Sequence, residues 1–279
     1  MTFAPLPPVR ACLFDVDGLL INSEDIYTEA YNNILHSCGK PSLSWSVKAR
    51  QQSRGRQGTL RLITWCDVPI SPEDWESRSR AQRELFRKTE LLPGVPKLLS
   101  TLSRHTSPPV YMALASSSGR SLFDVKTSHL PDIARAFPSQ CRAFGNDAEM
   151  AGKQKKPSPD LFLLALQRIN DTLSPGDKRV RPEECLVFED SIAGVEAGRR
   201  AGMRVVWVPH PGLLEVCSGR EESVLAGTTE QDVGELGPMV PEGGQENLPE
   251  RVKSRDAWAE LITSLEDFPY EDYGIHPSS

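Results

Sequence analysis

Asp15 and Asp17 stand two residues apart at the end of an apolar run, Val9, Ala11, Cys12, Leu13 and Phe14, with Gly18 behind them. Alternation along an extended chain puts both carboxylates on one side, one pleat apart. Like charges that close raise the cost of ionising each other. A hard divalent cation such as Mg2+ removes that cost and aims both acids at one point. The run has the length and composition of a strand, and ligands of open α/β sheets bind beyond the carboxyl ends of parallel strands. A calcium-binding loop is excluded, because Leu19 stands where that pattern needs an oxygen donor.

Three further clusters share this character. Ser116 and Ser117 follow the apolar run Val110 to Ala115, and Glu189 and Asp190 follow Cys185 to Phe188. Lys156 lies in Lys155-Lys156-Pro157-Ser158-Pro159-Asp160, where Pro157 favours an extended backbone and Pro159 suits a helix start, so it sits on a shaped loop. Taken singly, these are a serine-rich loop, an acidic helix start and a solvated lysine. Together they hold the parts of a phosphoryl transfer. One carboxylate can attack phosphorus and carry it covalently. The other can protonate the leaving oxygen and later take a proton from water. Hydroxyls and backbone amides hold phosphate oxygens, while a lysine and a metal offset the transferring charge.

The elements that must position these residues follow from periodicity. Asn22-Ser23-Glu24-Asp25 starts a helix carrying Ile26, Tyr27, Ala30, Tyr31, Ile34 and Leu35, which Gly39 stops. Further helical pieces hold Leu60, Leu62, Ile63 and Trp65, and begin at Ser71-Pro72. Nothing between Asn22 and Leu91 has strand character. From Pro93 the pattern alternates: a helix through Val95, Leu98, Leu99 and Leu102, the strand at Val110 to Ala115, and a helix around Leu122. A short apolar piece at Cys141 to Phe144 follows, then a helix from Pro159 to Ile169. The strand at Cys185 to Phe188, a helix from Ile192 to Ala201 and a strand at Val205 to Val208 complete the series. Such alternation predicts a mostly parallel sheet with helices on both faces. Residues 213–253, rich in Gly, Glu, Thr and Pro, are expected to form a flexible surface insertion. A short amphipathic helix is expected through Trp258, Leu261, Ile262 and Leu265.

Whole-chain properties narrow the function class. The 279 residues are 38% apolar and 25% charged, an ordinary globular composition. A net charge of −6 leaves no basic excess for a nucleic-acid backbone. Six scattered cysteines, several within apolar runs, suggest buried reduced thiols. The N-terminus lacks the basic flank of a secretory signal, and no apolar span is long enough to cross a membrane. A cytoplasmic protein is expected, with neither nucleic acid, membrane nor an obligate protein as partner.

Phe14-Asp15-Val16-Asp17-Gly18, Ala113-Leu114-Ala115-Ser116-Ser117, Lys156-Pro157-Ser158-Pro159-Asp160 and Val187-Phe188-Glu189-Asp190-Ser191 resemble, in this order, the four signature motifs of the haloacid dehalogenase superfamily. The likeness spans roughly Val9 to Val208. The helical block after the first strand is similar to that family's small α-helical cap. The resemblance implies a Rossmann-like, doubly wound parallel sheet formed by residues 1–21 and 92–279, with a cap of residues 22–91. It implies Mg2+ as cofactor, Asp15 as nucleophile and Asp17 as general acid and base. Ser116, Ser117 and Lys156 would bind the phosphoryl group. Asp190 would ligate the metal directly with Glu189 beside it, Asp15 and Asp17 completing the set.

The family's dehalogenases lack an acid at the position of Asp17, so its presence implies phosphoester chemistry. Gly18-Leu19-Leu20, the run Cys185 to Ser191, Asp267-Phe268 and Tyr273-Gly274 are similar to the branch containing pseudouridine-5′-phosphatase. The expectation is a Mg2+-dependent phosphatase acting on a small phosphorylated metabolite through an aspartyl-phosphate. A nucleoside or sugar monophosphate, pseudouridine 5′-phosphate among them, fits that description. A phosphomutase similar to β-phosphoglucomutase shares all four motifs. A non-catalytic binding or regulatory protein would not require Asp15, Asp17, Lys156 and Asp190 together. The cap would choose the substrate, with Arg50, Arg54 and Arg56 as candidate contacts or, equally, a solvated basic helix face. Asn22, Ser23 and Leu91 to Gly94 are candidate hinges.

Overall fold

The computed structural model describes residues 6–104, 106–229, 237–239 and 250–278. Strand β1 (Ala11–Phe14) is buried on both faces, which is why it reads as a continuous apolar run. The chain then leaves the sheet. Helix α1 (Ser23–Ser37) is followed by α2 (Trp45–Lys48), α3 (Arg56–Trp65), α4 (Pro72–Ala81) and a 3-10 turn at Arg83–Lys88. Ser71 caps α4 by accepting from the Asp74 amide, with Pro72 in the first turn as the sequence predicts. Ile34, Leu35, Leu43, Val47, Leu62, Val68 and Trp75 close an apolar cluster of their own, free of sheet residues.

This block enters and leaves through adjacent chains. Ile21 bridges to Leu91, the Asn22 amide donates to the Glu90 carbonyl at 3.1 Å, and the Leu92 amide donates to Leu20 at 3.0 Å. Asn22 does not cap α1. Its Oδ1 instead accepts from the Glu90 amide at 2.8 Å, so the side chain ties the two chains of the neck together.

The alternating part follows as α5 (Val95–Arg104), β2 (Tyr111–Ser116), α6 (Arg120–Thr127), α7 (Pro131–Ala136), β3 (Arg142–Phe144), α8 (Asp160–Asp171), β4 (Cys185–Glu189), α9 (Ile192–Arg200) and β5 (Arg204–Trp207). Then come α10 (Pro211–Val216), α11 (Glu221–Ala226), β6 (Arg251–Lys253) and β7 (Ala259–Ile262). The strands form one sheet in the order β3-β2-β1-β4-β5-β7-β6, parallel except for the edge strand β6. Alternate residues feed two cores. Ala11, Leu13 and Val187 face one side with α8 to α11, while Cys12, Phe14 and Phe188 face the other with α5. The fold is therefore a Rossmann-like doubly wound α/β sheet, and the ends of β1, β2 and β4 share one rim.

Two sequence expectations are corrected. Trp258 to Leu265 is not a helix, because Ala259–Ile262 extends as β7 and pairs parallel to β5. Leu261 and Ile262 are buried in opposite cores, an arrangement only a strand gives to consecutive residues. Residues 213–253 are not wholly a flexible insertion. Helices α10 and α11 bury Leu213, Leu214, Val224 and Leu225 in the sheet core, and β6 pairs at the edge. Met239 is buried too, and its amide donates to Ser46 in the helical block at 2.7 Å. The remainder of that stretch, residues 230–236 and 240–249, lies outside the described residues.

Candidate active site

Asp15 follows β1 and is buried, its amide continuing the ladder to Phe188 of β4 at 3.0 Å. Lys156 is also buried, and its Nζ donates to both Asp15 Oδ1 and Glu189 Oε1. Burial works against the lysine's charge, but the two carboxylates prevail and raise its pKa. Burial likewise pushes Asp15 up to about 7, against the pull of Lys156 and with the repulsion of Glu189 and Asp17. Asp15 Oδ2 is buried and has no hydrogen-bond partner among the described residues. That atom is the natural place for a nucleophile or a metal ligand.

Asp17 is held on both oxygens. Ser23 donates to Oδ1 at 2.7 Å, Ser118 donates to Oδ2 at 2.9 Å, and Lys126 donates to Oδ1. Burial opposes its charge, yet Lys126 and the two hydroxyls hold the carboxyl below its usual range. Asp17 is thus a carboxylate at rest. A phosphoryl dianion arriving beside it would push the other way, toward protonation.

Asp190 stands beyond β4 at the start of α9, where Ser191 caps the helix through the Gly194 amide at 3.1 Å. Burial, then repulsion from Glu189, Glu24 and Asp15, raises its pKa well above the ordinary value. Gly18 lies against it with φ +80°, and a β-carbon there would overlap the Asp190 carboxylate. Glycine is required on both counts.

The donor set fits a Mg2+-type site. Among the described residues no cage of three or more acidic, histidine or cysteine side chains exists. Asp15 and Asp190 are not held by cations on both oxygens, and both have pKa values raised by burial and neighbouring negative charge. Mg2+ is bound in this way, by one or two carboxylates completed by water and substrate phosphate. Glu189 departs from the ligand role expected of it. Its Oε1 accepts from Lys156 and its Oε2 from the Ser191 amide and hydroxyl at 2.9 and 3.0 Å. The Asp17 side chain, held by three donors, is equally committed.

A cavity of about 630 Å³ opens above the rim, between the helical block and the sheet. Asp15, Asp17, Ser117, Ser118 and Lys155 line its floor, with Tyr27, Tyr31, Trp75 and Phe86 as aromatic wall. The Ser117 hydroxyl is buried without a partner among the described residues. Ser116 is enclosed instead, its Oγ accepting from the Ser118 amide at 3.2 Å. Of the three arginines, only Arg56 lines the cavity, ion-paired to Glu73 and Glu76. Arg50 and Arg54 are buried. Arg50 lies close enough to Cys217, beside α10, to influence that thiol. Neither arginine is among the residues lining the cavity.

Ser118, Lys126 and Gln52 escape a reading of the motifs alone. Gln52 reaches from the helical block to Asp190 Oδ2 at 3.2 Å. Ser118 follows the serine pair, so its role turns on loop conformation. The available signal for Lys126 is a cation on the apolar face of α6, beside Phe123.

Comparison with known proteins agrees with this geometry. A sequence model of the haloacid dehalogenase-like hydrolases matches residues 9–202. A Saccharomyces cerevisiae protein named "probable pseudouridine-5′-phosphatase" is 40% identical over 224 residues, covering 80% of this chain and 91% of its own. A Drosophila melanogaster protein of the same name is 34% identical over 225 residues, covering 79% and 90%. Among solved structures, a haloacid dehalogenase family hydrolase of Deinococcus radiodurans with bound phosphate and sodium superimposes with a TM-score of 0.54. Its identity is 25%, over 74% of this chain and 82% of its own. The chain belongs to the haloacid dehalogenase-like hydrolase family. Within that family it is an enzyme of the phosphatase type. No helix among the described residues is long and apolar enough to cross a membrane.

Proposed function

We propose that this protein hydrolyses a small phosphate monoester through an aspartyl-phosphate on Asp15. The observation that carries the proposal is the Asp15 carboxylate, with one oxygen held by Lys156 and the other buried and unbonded at the cavity floor. Asp17 takes up a proton as the phosphate dianion binds; the free Asp15 oxygen then attacks phosphorus, the P–O bond to the leaving group breaks, and the leaving oxygen takes that proton from Asp17. Water then attacks the phospho-aspartate, gives its proton back to Asp17, and inorganic phosphate departs. Lys156 offsets negative charge on the transferring group, and the unpartnered Ser117 hydroxyl is available to a phosphate oxygen. Asp190, with the Asp15 oxygen that does not attack, would hold Mg2+, which would supply further charge compensation.

Residues 22–91 act as the cap that selects the leaving group. Its aromatic wall of Tyr27, Tyr31, Trp75 and Phe86 suits a flat ring, and two relatives are named for pseudouridine 5′-phosphate. The test is phosphate release across nucleoside, sugar and glycerol phosphates, with Mg2+ and with EDTA. Mg2+-dependent release, highest on pseudouridine 5′-phosphate and abolished by Asp15→Asn, is expected. Release that survives Asp15→Asn overturns the nucleophile, and isomerised sugar phosphate without free phosphate would make the protein a mutase.

A further inference from the structure

Lys126 is a fully buried lysine that none of the four motifs contains. It leaves α6 of the sheet core and ends among residues of the cap and the rim. Its Nζ donates to Asp17 Oδ1, to the Tyr27 hydroxyl at 2.8 Å and to Ser118 Oγ at 3.3 Å, which uses all three protons of an ammonium. The same nitrogen lies 4.6 Å from the Tyr27 ring centre and 5.0 Å from that of Phe86. Withdrawing a lysine from water is costly unless it is paired and hydrogen-bonded, so this satisfied arrangement is built, not incidental.

The partners are drawn from both ends of the inserted block. Ser23 and Tyr27 lie on the first turns of α1, and Phe86 lies in the last 3-10 turn before the chain returns. The Thr89 hydroxyl donates to the Lys126 carbonyl, joining that returning segment to the same helix. Asp17 would otherwise be oriented by two rotatable hydroxyls alone.

We infer that Lys126 is a positioning residue, fixing the Asp17 carboxylate for proton transfer to the leaving group and making that placement depend on the docked cap. The role rests on the phosphatase reading above. Removing the lysine then harms substrates that need a proton on departure far more than those that do not.

The test compares kcat/KM, which reports only the steps up to leaving-group departure, for an alkyl phosphate and for p-nitrophenyl phosphate. Lys126→Met keeps the stem and places a thioether in the aromatic cage. Its kcat/KM on the best alkyl phosphate should fall about 100-fold, the low end of a general acid's contribution. On p-nitrophenyl phosphate the fall should stay within about threefold, since that leaving group departs unprotonated. Equal falls on both substrates, or none, overturn the role. Tyr27→Phe removes one hydrogen bond from Lys126 and keeps the ring. It should lower the same ratio by a smaller factor, and it carries the test if Lys126→Met does not fold. An unchanged ratio in Tyr27→Phe then counts against the role. Wild-type protein inactive on both substrates would refute the phosphatase reading itself, a result distinct from either variant's failure.

Discussion

One ammonium, that of Lys156, donates to both Asp15 and Glu189, and all three side chains are withdrawn from water. Glu189 is committed to hydrogen bonds within the protein, and it fixes the lysine that holds Asp15. Its own carboxylate lies under the first turn of α9, where a β-carbon on Gly194 would overlap it.

Lys156→Met should therefore cost both activity and stability. Breaking a buried ion pair while leaving its carboxylates in place costs about 3–5 kcal/mol. Urea unfolding of the metal-free protein should show that loss, alongside a fall in kcat of at least about 100-fold. A variant of wild-type stability would show that the buried triad relaxes when the cation goes.

Gly18→Ala should sharply weaken metal-dependent turnover with little change in overall secondary structure. The residue needs φ near +80°, and its added carbon displaces the Asp190 carboxylate. Circular dichroism should be unchanged, while the Mg2+ concentration needed for half-maximal activity rises steeply.

The pH dependence of stability has a definite sign. Asp15 moves from 3.8 to about 7 on folding, and Asp190 moves in the same direction. The folded state holds these protons more tightly than the unfolded chain, so their contribution is complete below the unfolded pKa. It is lost as pH rises through about 7. Asp17, shifted down, contributes in the opposite sense, and only in acid below its ordinary 3.8. The metal-free melting temperature should therefore fall between pH 5 and pH 8. Mg2+ should restore more of it at pH 8 than at pH 5, and Asp190→Asn should raise the metal-free value at pH 8. Differential scanning calorimetry with EDTA and with Mg2+ checks all three.

Arg56→Ala should leave the melting temperature unchanged, because its ion pairs to Glu73 and Glu76 are exposed. As the arginine lining the cavity among the three expected, it should instead raise KM with kcat held. Arg50→Ala should do the reverse, lowering stability through a buried position with little effect on KM.

The sheet and its chemical rim are legible because β1, β2 and β4 each end abruptly in polar residues. Asp15, Asp17 and Asp190 need no tertiary information beyond the direction of their strands. Lys126 was hidden, since a lysine in an eight-residue helix ordinarily snorkels to solvent, and only docking against Tyr27 and Phe86 encloses it. Ser116 and Ser118 could not be distinguished before the loop's path was known. Arg50, Arg54 and Arg56 share one basic stretch, and charge pattern alone cannot separate the residue that lines the cavity from the two that are buried. The helices α10 and α11, six residues each, are too short for periodicity to register. Trp258, Leu261, Ile262 and Leu265 have helical spacing, and β7, buried on both faces, offers no period-2 alternation to set against it.

The paired chains at Ile21 to Asn22 and Glu90 to Leu92 make the block between them a cassette with two neighbouring ends. Two adjacent antiparallel tethers of this kind would resist twisting more than bending about a single axis. Their closeness also means that a helical block from a relative could be grafted between them without respacing the sheet. Such a chimaera would exchange the aromatic wall while keeping Asp15, Lys156, Glu189 and Asp190 in place. It would lose Ser23 and Tyr27, however, so the transplant succeeds only where the donor brings its own partners for Asp17 and Lys126.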